Sequence, residues 1–361
     1  MSSTELTIGI VRRGFSSGGG AEAYLKRLGA GILAEGHRVS LFTSADWPPE
    51  EWNFGPIVRL DSRDAAGFAD ELDKVSREHC DLLLSLERVW RCDVYRAGDG
   101  VHRAWLDRRD QLAGPLQKLG RLFNRKHPAT LALEEALFAR GGAKRVIANS
   151  RMVREEIIRC YGYPGEKIEV VYNGLPLETW RRDEQDRVKT RESLGMGKDD
   201  IVVLFAGSGW ERKGLRFALA AVDRQDSRIK FLVAGRGEPK KFRSSRAVFL
   251  GVVREMASLY HAADIFLLPT IYDPFSNACL EALAAGRPVI TTRANGFSEI
   301  MENGKHGSIV DDPADVEGLA SALQLWSDPA RRAQAQVENL ALAAQFDISR
   351  NVAETLRVLT V

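Results

Sequence analysis

Ala263-Asp264-Ile265-Phe266-Leu267-Leu268-Pro269, followed shortly by Tyr272-Asp273-Pro274-Phe275-Ser276-Asn277-Ala278-Cys279-Leu280-Glu281-Ala282, carries the reading of the fold. The first run is short, apolar throughout and closed by proline, the pattern of a strand buried on both faces of a parallel sheet. Residues Phe275 to Ala285 read as a helix closed by Gly286. A strand that turns directly into a helix puts Asp273 at the strand's carboxyl end, where open α/β sheets bind ligands. Glu281 falls about two turns further along the helix, so the two carboxylates can reach different parts of one long ligand. Asp-Pro is also a good helix opening in its own right, with Asp273 as N-cap and Pro274 at the first helical position.

The same alternation continues in both directions. Apolar runs consistent with strands lie at Thr7 to Val11, Arg38 to Thr43, Ile57 to Leu60, Asp81 to Leu86, Val94 to Ala97, Arg145 to Ala148 and Ile168 to Val171. A second set runs through Ile201 to Ala206, Lys230 to Ala234, Val248 to Leu250, Ile265 to Leu268, Val289 to Thr291 and Ser308 to Val310. Helical segments separate most of them, among them Ala21 to Ala34, stopped at Gly36, and Ser150 to Cys160, capped by Ser150. Strand and helix in alternation predict α/β architecture with parallel sheets, and 361 residues suffice for two domains. The punctuation Tyr172-Asn173-Gly174-Leu175-Pro176 marks the seam before a charged helix, Arg181 to Leu194. Pro329 to Ala344 and Ile348 to Leu359 read as two helices with no strand between them.

Composition excludes several classes. Lysine plus arginine number 51 against 49 acidic residues, a net charge of +2, which argues against a nucleic-acid binder. Cys80, Cys92, Cys160 and Cys279 form no C-x-x-C pair and the six histidines are scattered, so neither a metal site nor a disulfide framework is suggested. No apolar run approaches the roughly 20 residues that span a bilayer, and Met1-Ser2-Ser3-Thr4-Glu5 leads into the first strand without an apolar signal region. A cytoplasmic protein, peripheral to a membrane at most, is expected.

Loops at strand ends carry the candidate chemistry. Phe15-Ser16-Ser17-Gly18-Gly19-Gly20-Ala21-Glu22 opens into a helix, and its glycines let backbone N–H groups approach an anion at the helix start. An ordinary flexible turn has the same composition. Gly207-Ser208-Gly209-Trp210-Glu211-Arg212-Lys213-Gly214 ends another strand with adjacent cations, which bind phosphate well and which in isolation read as a solvated turn. Tyr95-Arg96-Ala97-Gly98-Asp99-Gly100-Val101-His102 offers Asp99, and after it His102, as polar groups at a strand end. The basic, aromatic-containing segment 103–126, with Arg108, Arg109 and Lys118, can be a solvated helical flank or a contact for anionic lipid.

The run from Asp273 to Ala282, continued by Ala284-Ala285-Gly286-Arg287-Pro288 and Asn295-Gly296-Phe297-Ser298-Glu299, resembles the donor-site signature of the retaining family 4 glycosyltransferases. That signature is an acidic pair with seven residues between its members, in Glu-Pro-Phe-Gly-x-x-x-x-Glu-Ala form; Asp273 stands at its first Glu and Ser276 at its Gly. The glycine loop, Asn149-Ser150, the Tyr172-Asn173-Gly174 seam and the basic pair occur in family order as well. The resemblance implies a GT-B fold. Two doubly wound, Rossmann-like domains would face a cleft: an acceptor-side domain over 1–172 and a donor domain over 173–344, with a last helix at about 345–361 crossing back to the first.

For the site, the resemblance implies that Arg212 and Lys213 stabilise a departing diphosphate. Asp273 would hold hydroxyls of the transferred sugar and Glu281 those of the ribose. Gly18, Gly19, Gly20, Gly207, Val252, Val253 and the backbone of Ser276, Asn277 and Ala278 would line the donor, and Asp99 and His102 would lie near the reacting sugar. No cofactor is implied, and the absence of any Asp-x-Asp triplet fits diphosphate binding by cations. The partners implied are a nucleotide-sugar donor, UDP-linked, and a glycan or glycolipid acceptor, as in the lipopolysaccharide-core sugar transferases. A sugar-nucleotide 2-epimerase shares the architecture, and a noncatalytic sugar-nucleotide or anionic-lipid binder fits the shortened Asp273 side chain.

Overall fold

The computed structural model describes residues 5–15, 20–62, 64–112, 126–181, 183–242 and 244–360. Two compact units emerge from the contacts within the chain: Met1–Tyr172 with Ile348–Val361, and Asn173–Asp347.

The first unit is built on a parallel sheet of β1 (Thr7–Val11), β2 (Arg38–Ser44), β3 (Ile57–Leu60), β4 (Leu82–Ser85), β5 (Cys92–Ala97), β6 (Ala143–Ala148) and β7 (Ile168–Val170), in the order β3-β2-β1-β4-β5-β6-β7. The helix Gly20–Ala34 lays Leu25, Leu28 and Ile32, one stripe at helical spacing, against Ile8, Ile10, Val39 and Leu41 of the sheet. Val352, Leu356, Val358 and Leu359 of the helix Ile348–Thr360 close the same core. This helix therefore returns to the first unit, where Asn351 Nδ2 donates to the Tyr172 carbonyl.

The second unit repeats the plan with β8 (Ile201–Ala206), β9 (Ile229–Ala234), β10 (Ala247–Gly251), β11 (Ile265–Leu268), β12 (Val289–Thr292) and β13 (Gly307–Val310), in the order β10-β9-β8-β11-β12-β13. Its central strands are buried throughout, β8 and β11 without an exposed residue, which accounts for their unbroken apolar sequences. The strand order in each unit reverses beside the unit's first strand. The crevice at that reversal, between β1 and β4 and again between β8 and β11, is where a doubly wound sheet receives ligands, outside the carboxyl ends of its strands.

Every apolar run read as a strand is a strand, with ends that differ by at most two residues. The helix after β11 is shorter than its sequence suggests. It spans Asn277–Ala284, and its N-cap is Ser276, whose side chain accepts from the Cys279 amide. No helix among the described residues is long and apolar enough to cross a membrane.

Candidate functional site

At the switch point of the second unit, the turn after β8 meets the loop after β11. Ile271 N and Thr270 Oγ1 donate to the Arg212 carbonyl at 2.9 and 3.0 Å, so the basic pair is fastened to the acidic segment through the backbone. Lys213 Nζ donates to Asp273 Oδ2 in an ion pair whose side chains are only 12% and 6% exposed. The Arg212 side chain is half-buried and makes no hydrogen bond or ion pair among the described residues. A largely buried, paired cation and a cation with no partner among the described residues thus stand side by side.

Gly214 makes this approach feasible. Its φ is +77°, and a Cβ there would lie 1.9 Å from the Pro269 carbonyl oxygen. Gly214→Ala combines an unfavourable backbone conformation with a backbone clash, and is expected to lower the stability of the second unit by more than about 2 kcal/mol. Urea unfolding monitored at the tryptophans checks it; an unchanged midpoint would show that the turn has room for a side chain.

Asp273 is held at both ends of its own backbone. Its amide donates to Ala294 O and its carbonyl accepts from Gly296 N, both at 2.9 Å. It is not a helix cap: Pro274 and Phe275 stay outside the helix and Ser276 takes the capping role, so the Asp-Pro reading as an N-cap fails and the carboxylate is left for Lys213. The Ser276 amide is also engaged, donating to Asn295 Oδ1 at 3.3 Å. Asn277 and Ala278 follow as the first residues of the helix. Asn295, fully buried, donates from Nδ2 to Thr291 Oγ1 at 3.0 Å and to Cys279 Sγ at 3.3 Å. Burial pushes the Cys279 thiol up to about 12, which leaves it a packing residue rather than a nucleophile.

Glu281 lies further along the helix, where burial raises its pKa to about 7 against the opposing effects of the Tyr260 hydroxyl and the Lys213 charge. Tyr260 donates to Glu281 Oε2 at 2.8 Å. The turns after β8, β9 and β10 are tied by their backbones. Gly207 N donates to Ala234 O at 3.0 Å and Gly235 N to Gly251 O at 2.7 Å. A Cβ on Gly235 would lie 2.2 Å from the Gly207 carbonyl oxygen, so only glycine permits this approach. Beyond that platform Val252 is 69% exposed and Val253 half-buried, the kind of apolar edge on which a flat ring can rest.

In the first unit, Asp99 sits on the loop between β5 and the helix His102–Gln111, and His102 opens that helix. The organiser of that loop is Glu134, a fully buried carboxylate that sequence reading passed over. It accepts from Arg88 Nε at 2.9 Å, from the His102 amide at 2.6 Å and from the Tyr161 hydroxyl at 2.8 Å. Arg88 also reaches Asp99 at 3.8 Å, leaving the Asp99 side chain 68% exposed. His102 Nε2 lies 2.9 Å from His127 Nδ1, and burial, reinforced by Arg88, lowers its pKa to about 4, so it is neutral at pH 7. The sequence did hold a hint of Glu134. It lies between Leu133 and the buried pair Leu137 and Phe138, and an acidic residue among inward-facing positions is informative.

Gly18 and Gly19 lie outside the described residues, as does the stretch 113–125 with Lys118. Gly20 begins the helix Gly20–Ala34. Of the basic segment's described members, Arg108 pairs with Glu156 at 2.8 Å and Arg109 NH1 lies 3.3 Å from His127 Nε2. Both guanidiniums are therefore employed within the first unit.

Known proteins resemble this chain in sequence and in fold. A family model for glycosyl transferases group 1 matches residues 200–328, and one for Glycosyltransferase Family 4 matches residues 18–179. A probable transglycosylase of Burkholderia thailandensis is 30% identical over 368 residues, covering 97% of this chain and 96% of that protein. An uncharacterized glycosyltransferase of Methanocaldococcus jannaschii is 26% identical over 325 residues, 80% of each chain. Among solved structures, WaaG, a glycosyltransferase involved in lipopolysaccharide biosynthesis, superposes with a TM-score of 0.80 at 20% identity, covering 98% of this chain and 99% of that one. Anabaena HepE in complex with UDP-glucose gives 0.76 at 20% identity, covering 98% and 100%.

Proposed function

The chain belongs to the group 1 glycosyltransferases of family 4, and from that premise we propose that it moves a hexose from a UDP-linked sugar to a cell-envelope glycan with retention of anomeric configuration. The observation that carries this reading is the meeting of Arg212, Lys213 and Asp273 at the β8/β11 switch point. Breaking the bond between sugar and diphosphate leaves negative charge on the departing phosphate, and cations placed there in advance lower the barrier. Arg212, which has no competing partner among the described residues, meets that charge directly. Lys213 shares itself between the phosphate and Asp273.

Asp273, next to the phosphate position, accepts from hydroxyls of the transferred sugar, and Glu281 accepts from the ribose. A carboxylate suits both tasks because it offers acceptors only. No protein side chain is assigned as a covalent nucleophile. The leaving phosphate takes the proton of the attacking acceptor hydroxyl on the face that it leaves, which keeps the configuration. The absence of an Asp-x-Asp triplet from the sequence supports diphosphate binding by Arg212 and Lys213 without a divalent metal.

Asp99, exposed and steered by Arg88, supplies a polar group on the acceptor side, with neutral His102 beside it. A glycolipid acceptor, such as a lipopolysaccharide core, would bring the protein to the cytoplasmic face of a membrane. Since Arg108 and Arg109 are engaged internally, electrostatic contact with lipid would fall to the remainder of the basic segment. Calorimetric titration of UDP, GDP and ADP in chelator, followed by mass and anomeric analysis of the product formed from the best donor, tests the proposal. Absence of nucleotide binding, or an inverted product, would sink it.

A further inference from the structure

We propose that Tyr260 is a positioning residue of the nucleotide site, its hydroxyl fixing the Glu281 carboxylate in the orientation that accepts the ribose hydroxyls. This rests on the donor-site reading above and assigns a role to a side chain outside the acidic and basic pairs. Tyr260 comes from the neighbouring helix Met256–Ala262 and is fully buried. Its ring is wedged between Trp180, edge-on at 5.5 Å, and Phe266 at 5.6 Å, so the hydroxyl cannot swing away. Two acceptors lie in reach of it: Glu281 Oε2 at 2.8 Å and the Ala278 carbonyl at 3.1 Å.

A hydroxyl has one proton to give. While Glu281 is ionised, the charge-assisted bond takes that proton, holding Oε2 in place. Oε1 makes no hydrogen bond among the described residues, and Glu281 keeps partial exposure. One oxygen is thus anchored and the other is left to a ligand. When Glu281 binds a proton, its own O–H can donate to the Tyr260 oxygen, and the Tyr260 proton turns to Ala278. Both states are satisfied internally, but only the ionised state presents Glu281 purely as an acceptor. The groups that bear on the carboxyl are Tyr260, Lys213 and burial; Cys279, which influences Tyr260, stays a neutral thiol.

The sign of the pH effect follows. Glu281 titrates at about 7 when folded, above its ordinary value of 4.5, so its acceptor form is gained as pH rises through 7. The Tyr260 hydroxyl holds that pKa down, and its removal shifts the midpoint upward. UDP titrations between pH 6 and 8.5 on the wild type, Tyr260→Phe, Glu281→Gln and the double variant test the proposal. Glu281→Gln retains only the pH dependence of UDP's own phosphate, so subtraction isolates the carboxyl.

Tyr260→Phe is expected to weaken UDP roughly tenfold at pH 7, to move the midpoint to higher pH, and to leave kcat at saturating donor within about twofold. Within the Glu281→Gln background it should add nothing. An unchanged midpoint with wild-type affinity, or an equal loss in the Glu281→Gln background, would reduce Tyr260 to packing. Wild-type protein that binds no UDP at any pH would overturn the donor-site reading itself.

Discussion

Replacing Arg212 and Lys213 together by alanine is expected to weaken UDP binding by about a hundredfold to ten-thousandfold, since each charge-assisted phosphate contact is worth about 1.5 to 3 kcal/mol. The two residues will not behave alike. Arg212 has no partner among the described side chains, so Arg212→Ala should cost affinity, roughly tenfold to a hundredfold, with little change in unfolding midpoint. Lys213→Ala removes the counter-ion of the buried Asp273, and leaving a buried charge unpaired costs about 3 to 5 kcal/mol of stability. Calorimetry and thermal melts on the two single variants separate the effects. UDP affinity that survives the double substitution, or that disappears in chelator, would reject the assignment.

Asp273→Asn should cut the transfer rate by about a hundredfold, in the range seen when a group aimed at the reacting centre is lost. UDP alone should bind at least as tightly as before, because Lys213 no longer divides itself between phosphate and carboxylate. The unliganded variant should be less stable, with the largely buried Lys213 left without its counter-ion, and UDP should raise its melting temperature by more than it raises that of the wild type. Such an enlarged shift is not expected from a simple helix cap. Asp273→Glu is the finer test, since it keeps the charge and lengthens the side chain by one methylene. Wild-type turnover in Asp273→Asn would remove the carboxylate from the reaction.

The sheets were legible because burial on both faces leaves a direct mark on composition. A run such as Ile201 to Ala206 has no solvent side on which polar residues could alternate. Strand order, and with it the switch point, is not written locally; the family resemblance implied only doubly wound domains, and the structure supplies the order. Long-range pairing was equally hidden. Asp273 and Lys213 lie 60 residues apart, and nothing near Asp273 marks it as the partner of a lysine rather than the cap of a helix. The misread cap has a simple cause: Asp-Pro and Ser-Asn are both competent helix openings three residues apart, and the tether from Asp273 to the β12 loop decides between them. Tyr260 was passed over because a tyrosine in an apolar helix is indistinguishable in sequence from any other core residue. Only the position of its hydroxyl sets it apart.

The return of Val352 to Leu359 to the core of the first unit has a bearing on how the chain matures. During synthesis the first unit must wait, with the face of the helix Gly20–Ala34 that Tyr24 and Gly31 present to Thr355 and Val352 uncovered, while all of Asn173–Asp347 is translated. At about 5 to 20 residues per second that interval lasts on the order of ten seconds or more, far longer than the folding time of a small domain. The second unit, contiguous in sequence, can finish as soon as it emerges; the first closes only afterwards. The nascent chain is therefore exposed to chaperone capture and misassociation through its amino-terminal half, even though that half is made first.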